Sequence, residues 1–194
     1  MPQKNIPLVE LDELLAAEYV YIAQTATQAN EDRARVSSFY LIAVGSLMAA
    51  LFGTQLFDTD KFTETVKIMF SGLFVLLTLL GTSTIMQLAR LRAAWYESML
   101  AMNQIKAFAM SQNPELKKAF RWKTETLPAR YKVGSVSYYQ AFEVALIGGL
   151  MFAAATFFLQ QAFFTISLFN WIVSTISALL AMYIQLSLYK RALK

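Results

Sequence analysis

The chain contains no cysteine and no histidine among its 194 residues. Disulfides, iron–sulfur clusters, the usual haem and zinc ligand sets and a Cys–His nucleophile pair are thereby excluded. Charge is scarce too: Asp, Glu, Lys and Arg make up 15% of the residues, against about a quarter in soluble domains. Charge is also absent from long tracts. None occurs from Val36 to Phe57 or from Ile68 to Ala89, 22 residues each, nor over the 46 residues from Val144 to Tyr189.

Apolar side chains fill those gaps, at 57% of the composition and a mean hydropathy of +0.43. A helix rises 1.5 Å per residue, so roughly 20 residues cross a hydrocarbon core of about 30 Å. The first two tracts each match one span and the third matches two. The expected fold is an all-α integral membrane protein, with four transmembrane helices in two hairpins and amphipathic cytoplasmic helical extensions. The opening MPQKNIPLVELDELLAAE carries acids where a secretory leader needs an apolar segment, so the first span is expected to act as its own insertion signal.

The expected parts are a cytoplasmic amphipathic helix over 1–35, a first hairpin over 36–89, a basic cytoplasmic helical segment over 90–137, a second hairpin over 138–189 and a tail over 190–194. Leu8, Leu11, Leu15, Tyr19 and Ile22 recur at helical spacing before the first span, and Leu91, Trp95, Met99, Met102 and Ile105 do so after the second. Packing these stripes together would bury both, with Glu13 and Glu18 near Lys106 and Arg92. Asn113 and Pro114 suit a helix start, so Glu115 to Trp122 is expected to be helical. Ser137 and Gln140 offer a capping box for the third span, and Gln160 with Gln161 marks the turn after it. Asp58, Asp60 and Glu64 lack the spacing of an EF-hand loop and are read as a solvated connector; no metal and no other cofactor is expected.

From Arg90 to Lys132 there are nine basic residues against three acids, and Lys190, Arg191 and Lys194 follow the last span. The positive-inside rule then places both termini and the middle segment in the cytoplasm of a multi-pass protein of the cell (inner) membrane. Membrane lipids are expected partners, and basic residues beside a bilayer are satisfied by anionic headgroups, so no nucleic acid is expected. Glu143 falls about 6 to 8 Å beyond Tyr138 and Tyr139, near the headgroup boundary. It reads as a boundary charge, with a cation pathway as the alternative.

Three rows of small or polar residues repeat every four positions: Gly45-Ala49-Gly53, Ala141-Ala145-Gly149-Ala153 and Asn170-Ser174-Ala178. Such rows let helix backbones approach closely. Gly45, Ala49, Gly53, Gly149, Ala153 and Ser174, with Trp95 on the basic segment, are therefore the candidate packing or assembly residues. Thr78 and Thr82 in the second span could line a pathway in an oligomer, although a hydroxyl in a membrane helix ordinarily bonds the carbonyl one turn back.

No cluster of acids, bases or metal ligands marks a catalytic site, so the chain is read as not an enzyme. It is read as a non-catalytic membrane subunit or self-assembling scaffold, a homo-oligomer or part of a membrane complex. The alternative is a small oligomeric ion channel or pore-forming effector. The layout of the first half, a helix, a hairpin and a projecting helix, resembles in architecture small bacterial membrane effectors of defence systems; that resemblance implies oligomerisation and membrane breach.

Overall fold

A computed structural model describes residues 8–53 and 63–194, with side chains from residue 12 onward apart from residue 52. Asp58 and Asp60 lie outside the described residues, as do the side chains of Leu8 and Leu11. The described chain is helical: α1 (Leu8–Gly53), α2 (Glu64–Gln112), the short α3 (Leu116–Ala119), α4 (Val136–Phe163) and α5 (Leu168–Ala192), with one 3-10 turn at Thr124–Thr126. Helices α1, α2, α4 and α5 are each long and apolar enough to cross a membrane. With 46 and 49 residues, α1 and α2 each hold more than twice the roughly 20 residues that one crossing needs.

The chain divides into two compact units, Met1–Asp32 with Leu91–Arg130 and Arg33–Arg90 with Tyr131–Lys194. In the second unit α1 buries Arg33, Ser37, Tyr40, Val44 and Leu51, and α2 buries Ser71, Phe74, Thr78, Gly81, Ile85 and Leu88. Both stripes step by three, four or seven residues, one face of a helix each. The outward faces are apolar instead: Ile42, Met69, Leu76, Leu79, Leu150 and Leu180 are all exposed. An interior that holds polar groups among apolar ones, under an outer face that is apolar, departs from the pattern of a water-soluble domain and matches a lipid surround.

Helices α4 and α5 pack along their length, with paired positions running in opposite directions: Tyr189 meets Ser137, Gln185 meets Gly148, and Ser174 meets Gln160. Helix α4 starts two residues earlier than the capping-box reading. Gly134 takes the left-handed φ of 78°, Ser135 is the N-cap, and its side chain accepts from the Tyr138 N–H at 3.2 Å. Ser137 is thereby released for contacts between helices. At the far end the helix runs on through Gln160 and Gln161 to Phe163, so the turn lies later, at Phe164–Ser167. Asn113 does accept from the Glu115 N–H at 3.1 Å, but α3 stops at Ala119 and Trp122 lies outside it.

In the first unit Ala26, Ala29 and Met102 form a small core. There α1 and α2 meet where the Lys106 ammonium lies over the Tyr19 ring, 5.7 Å from its centroid. Lys106 is thus placed on an aromatic face.

Candidate functional site

The polar groups of the second unit gather on one seam between α2, α4 and α5. Gln185 is 2% exposed. Its Nε2 donates to Thr82 Oγ1 at 2.9 Å and to the Thr78 carbonyl at 3.3 Å. Thr78 Oγ1 donates to the Phe74 carbonyl at 2.9 Å and reaches the Gly148 carbonyl at 3.4 Å, while Thr82 Oγ1 donates back to the Thr78 carbonyl at 2.9 Å. One amide and two hydroxyls thus tie three helices. In a medium without water each such group is costly unless paired, so the ties fix which faces meet.

Among the described residues three buried oxygens have no conventional hydrogen-bond partner, Gln140 Oε1, Gln185 Oε1 and Tyr40 Oη, and the last two share a setting. Each rests on a glycine. A Cβ at Gly148 would stand 2.6 Å from Gln185 Oε1, and one at Gly81 would stand 2.7 Å from Tyr40 Oη. In both places the glycine turns a Cα–H toward the oxygen where any other residue would put carbon, and a Cα–H is a weak donor. Gly149, the next residue, does a different job: its missing Cβ would lie 2.8 Å from the Ala178 carbonyl oxygen. Close backbone approach between α4 and α5 depends on it.

The seam is closed at both ends by polar contacts. Where α4 begins, the Arg33 guanidinium donates to Ser137 Oγ and the Tyr189 hydroxyl donates to the Ser137 carbonyl at 3.2 Å. Tyr131 sets its ring edgewise to Tyr138 and Tyr189, with the Lys190 ammonium 5.6 Å from its centroid. Where α4 ends, Gln160 Nε2 donates to Ser174 Oγ at 3.3 Å, and the Lys67 ammonium donates to the Gln161 carbonyl at 3.2 Å.

No protein-family model, curated protein or solved structure matches this chain.

The first unit carries cations on aromatic rings. The buried Arg92 stacks 4.3 Å from the Trp95 centroid and donates from Nε to the Arg130 carbonyl at 3.2 Å. Arg130 in turn lies 5.1 Å from the Tyr96 ring centroid and pairs with Glu97 at 3.3 Å. A cavity of about 490 Å³ opens beside Tyr19, lined mainly by Leu15, Val20, Ile105, Ala109 and Phe120. Among the described residues, no group of three His, Cys, Asp or Glu could hold a metal ion.

The candidate residues fall into three groups. Thr78, Thr82, Gly149 and Ser174 come together in the α2–α4–α5 seam, with Ala153 half-buried on α4. Trp95 is half-buried in the first unit beneath Arg92. Gly45, Ala49 and Gly53 lie on the exposed face of α1, and a Cβ added at either glycine would meet nothing within 4 Å. Glu143 is exposed on α4, away from the seam. Gln185 and Gly148, at the centre of the seam, are the residues that the pattern of small side chains leaves out; the polar break of Gln185 within an uncharged tract is the signal that points to them.

Proposed function

We propose that this protein is a non-catalytic, multi-pass membrane component that works by helix association, as a self-assembling scaffold or as a subunit of a membrane complex. The observation that carries the reading is the engagement of Gln185, Thr82 and Thr78 with one another and with backbone carbonyls inside one chain. Polar groups spent on holding helices together are not presented to a substrate or an ion. A pore lined by Thr78 and Thr82 at the centre of an oligomer would require that seam to be taken apart, at the cost of unpaired amide and hydroxyl groups in an apolar medium.

The arrangement in the membrane follows the charge: two hairpins, with both termini and the basic segment from Arg90 to Lys132 on the cytoplasmic side. Single cysteines placed at Thr63 and Gln112 in this cysteine-free chain test it. An impermeant thiol reagent applied to intact cells should modify position 63 and spare position 112; the reverse pattern would overturn the orientation.

Gentle extraction followed by native mass spectrometry tests association, with a defined oligomer or a co-purifying complex as the expected result. The channel reading keeps one supporting observation, the exposed Ser83 and Gln87 side chains on α2. Robust selective ion flux through the purified protein in liposomes would defeat the scaffold reading.

A further inference from the structure

The connection between α4 and α5 presents mostly apolar side chains, with Thr165 and Ser167 as exposed polar residues among them. Ser167 and Asn170 satisfy one another: Ser167 Oγ donates to Asn170 Oδ1 at 2.7 Å, the Ser167 N–H donates to the same oxygen at 3.0 Å, and the Asn170 N–H returns a bond to the Ser167 carbonyl at 3.1 Å. The Phe164 N–H closes α4 on the Gln160 carbonyl at 2.8 Å. Asn170 is 2% exposed.

The side chains that point outward are Phe163, Phe164, Ile166, Leu168, Phe169 and Trp171, each more than half exposed. Trp171 is braced by Phe157, ring centroids 4.5 Å apart. A turn standing in water would expose mainly polar or charged groups; this one lies within the 46-residue tract that has no charge.

Its depth can be read from neighbours. The Lys67 contact with Gln161 and the Phe70–Phe158 ring pair set the last turns of α4 beside the first turns of α2, where Glu64 and Lys67 stand. Charged residues at that level mark the polar boundary of the bilayer. The exposed apolar surface of the turn is continuous with the lipid-facing faces of α4 and α5 at Leu159, Ile172 and Ile176.

We propose that the Phe163–Trp171 turn is an interfacial anchor, its outward aromatic and aliphatic side chains embedded at the headgroup–acyl boundary of the leaflet on that side. Phe and Trp are suited to that layer, and the polar groups that the turn leaves outward, Thr165 and Ser167 among them, can meet water and headgroups there. The anchor fixes the depth of α4 and α5 from one end while the Arg33, Lys190 and Arg191 end meets the opposite boundary. The inference rests on the multi-pass membrane reading and not on which side is cytoplasmic.

The test uses spin labels on single cysteines at Phe164, Ile166 and Leu168 in the full chain, reconstituted in phosphatidylcholine vesicles. Leu150 serves as the acyl-depth control and Gln112 as the aqueous control. Collision with oxygen should exceed collision with a water-soluble nickel chelate at the three turn positions, giving depth values between the controls and nearer to Leu150. Values equal to those at Gln112 would place the turn in water and overturn the anchor. Low collision with both reagents at all three positions would mean that protein covers the turn, which overturns it as well. Three separate sites keep the result independent of any one variant that fails to fold, and the depth values do not depend on oligomeric state, so failure of the anchor and failure of the association reading are separable.

Discussion

Two rows of small residues, alike in the sequence, end in opposite surroundings. On α4, Gly149 stands where a Cβ would press on the Ala178 carbonyl of α5. On α1, Gly45 and Gly53 face open space. The difference comes from what lies across from each row. Helix α5 meets α4 through the bond from Gln160 to Ser174, and its Gln185, seated against Gly148 of α4, donates to Thr82 of α2, so polar contacts hold α5 in place where glycine is required. Helix α1 instead buries the adjacent stripe of Arg33, Ser37, Tyr40 and Val44, whose larger side chains fill the unit interior. Spacing confers the capacity for close approach, and the polar partner decides where it is used.

The sharpest test of that contrast is Gly149→Val. Its branched side chain must enter space held by a backbone oxygen, which moves only with the whole of α5, so the cost should reach the upper part of the overpacking range, about 3 kcal/mol. Thermal unfolding in detergent should show a clear drop in midpoint, with a milder one for Gly149→Ala. An unchanged midpoint would mean that α4 and α5 are not held this closely.

Trp95→Ala should come next. A fully buried Trp costs roughly 3 to 5 kcal/mol on truncation, but this ring is half-buried. Removing its contact area and its stack on Arg92 should cost about 2 kcal/mol, in the first unit alone. Membrane insertion should be unaffected, since no apolar tract is altered. If neither melting nor oligomeric state moves, the Arg92–Trp95 stack contributes nothing to that unit.

Gln185→Leu should cost less, about 1 kcal/mol, because hydrogen bonds between membrane helices are worth roughly 0.6 to 2 kcal/mol and the leucine restores some packing. A double-mutant cycle with Thr82→Val isolates the amide–hydroxyl bond. A coupling of zero would show that the 2.9 Å contact holds nothing together.

The four apolar helices were legible because uncharged tracts of 22 and 46 residues have few solutions in water. The backbone habit of the hydroxyls was legible too: Thr78, Thr82 and Thr84 each donate to the carbonyl four residues back. The meeting of Gln185 with Thr82 was not, since the two are 103 positions apart and no local pattern couples them. Nor was the start of α4, because Ser135 and Ser137 offer the same hydroxyl two residues apart, and only the left-handed Gly134 before Ser135 and the Arg33 and Tyr189 contacts at Ser137 separate their roles. The open face of Gly45 was hidden for a related reason: a row of small residues reads the same whether its partner is in the chain or outside it.

The smallest effect on the isolated chain is therefore expected at that face. Gly45→Ala meets nothing within 4 Å, and replacing a mid-helix glycine removes backbone freedom from the unfolded state, so stability should stay level or rise by up to about 1 kcal/mol. Assembly should respond differently if copies meet along Gly45, Ala49 and Gly53, because each methyl there separates two backbones that pack on glycine. Gly45→Leu enlarges the same effect without touching the α2–α4–α5 seam. The expected outcome is an unchanged or slightly raised melting midpoint for Gly45→Ala, with native mass spectra shifting toward the monomer from wild type through alanine to leucine. A lowered midpoint would show that α1 packs inward on this face after all. An unchanged midpoint with an unchanged oligomer in the leucine variant would leave the face to lipid, and would move the search for the assembly surface to the exposed apolar faces of α2 and α5.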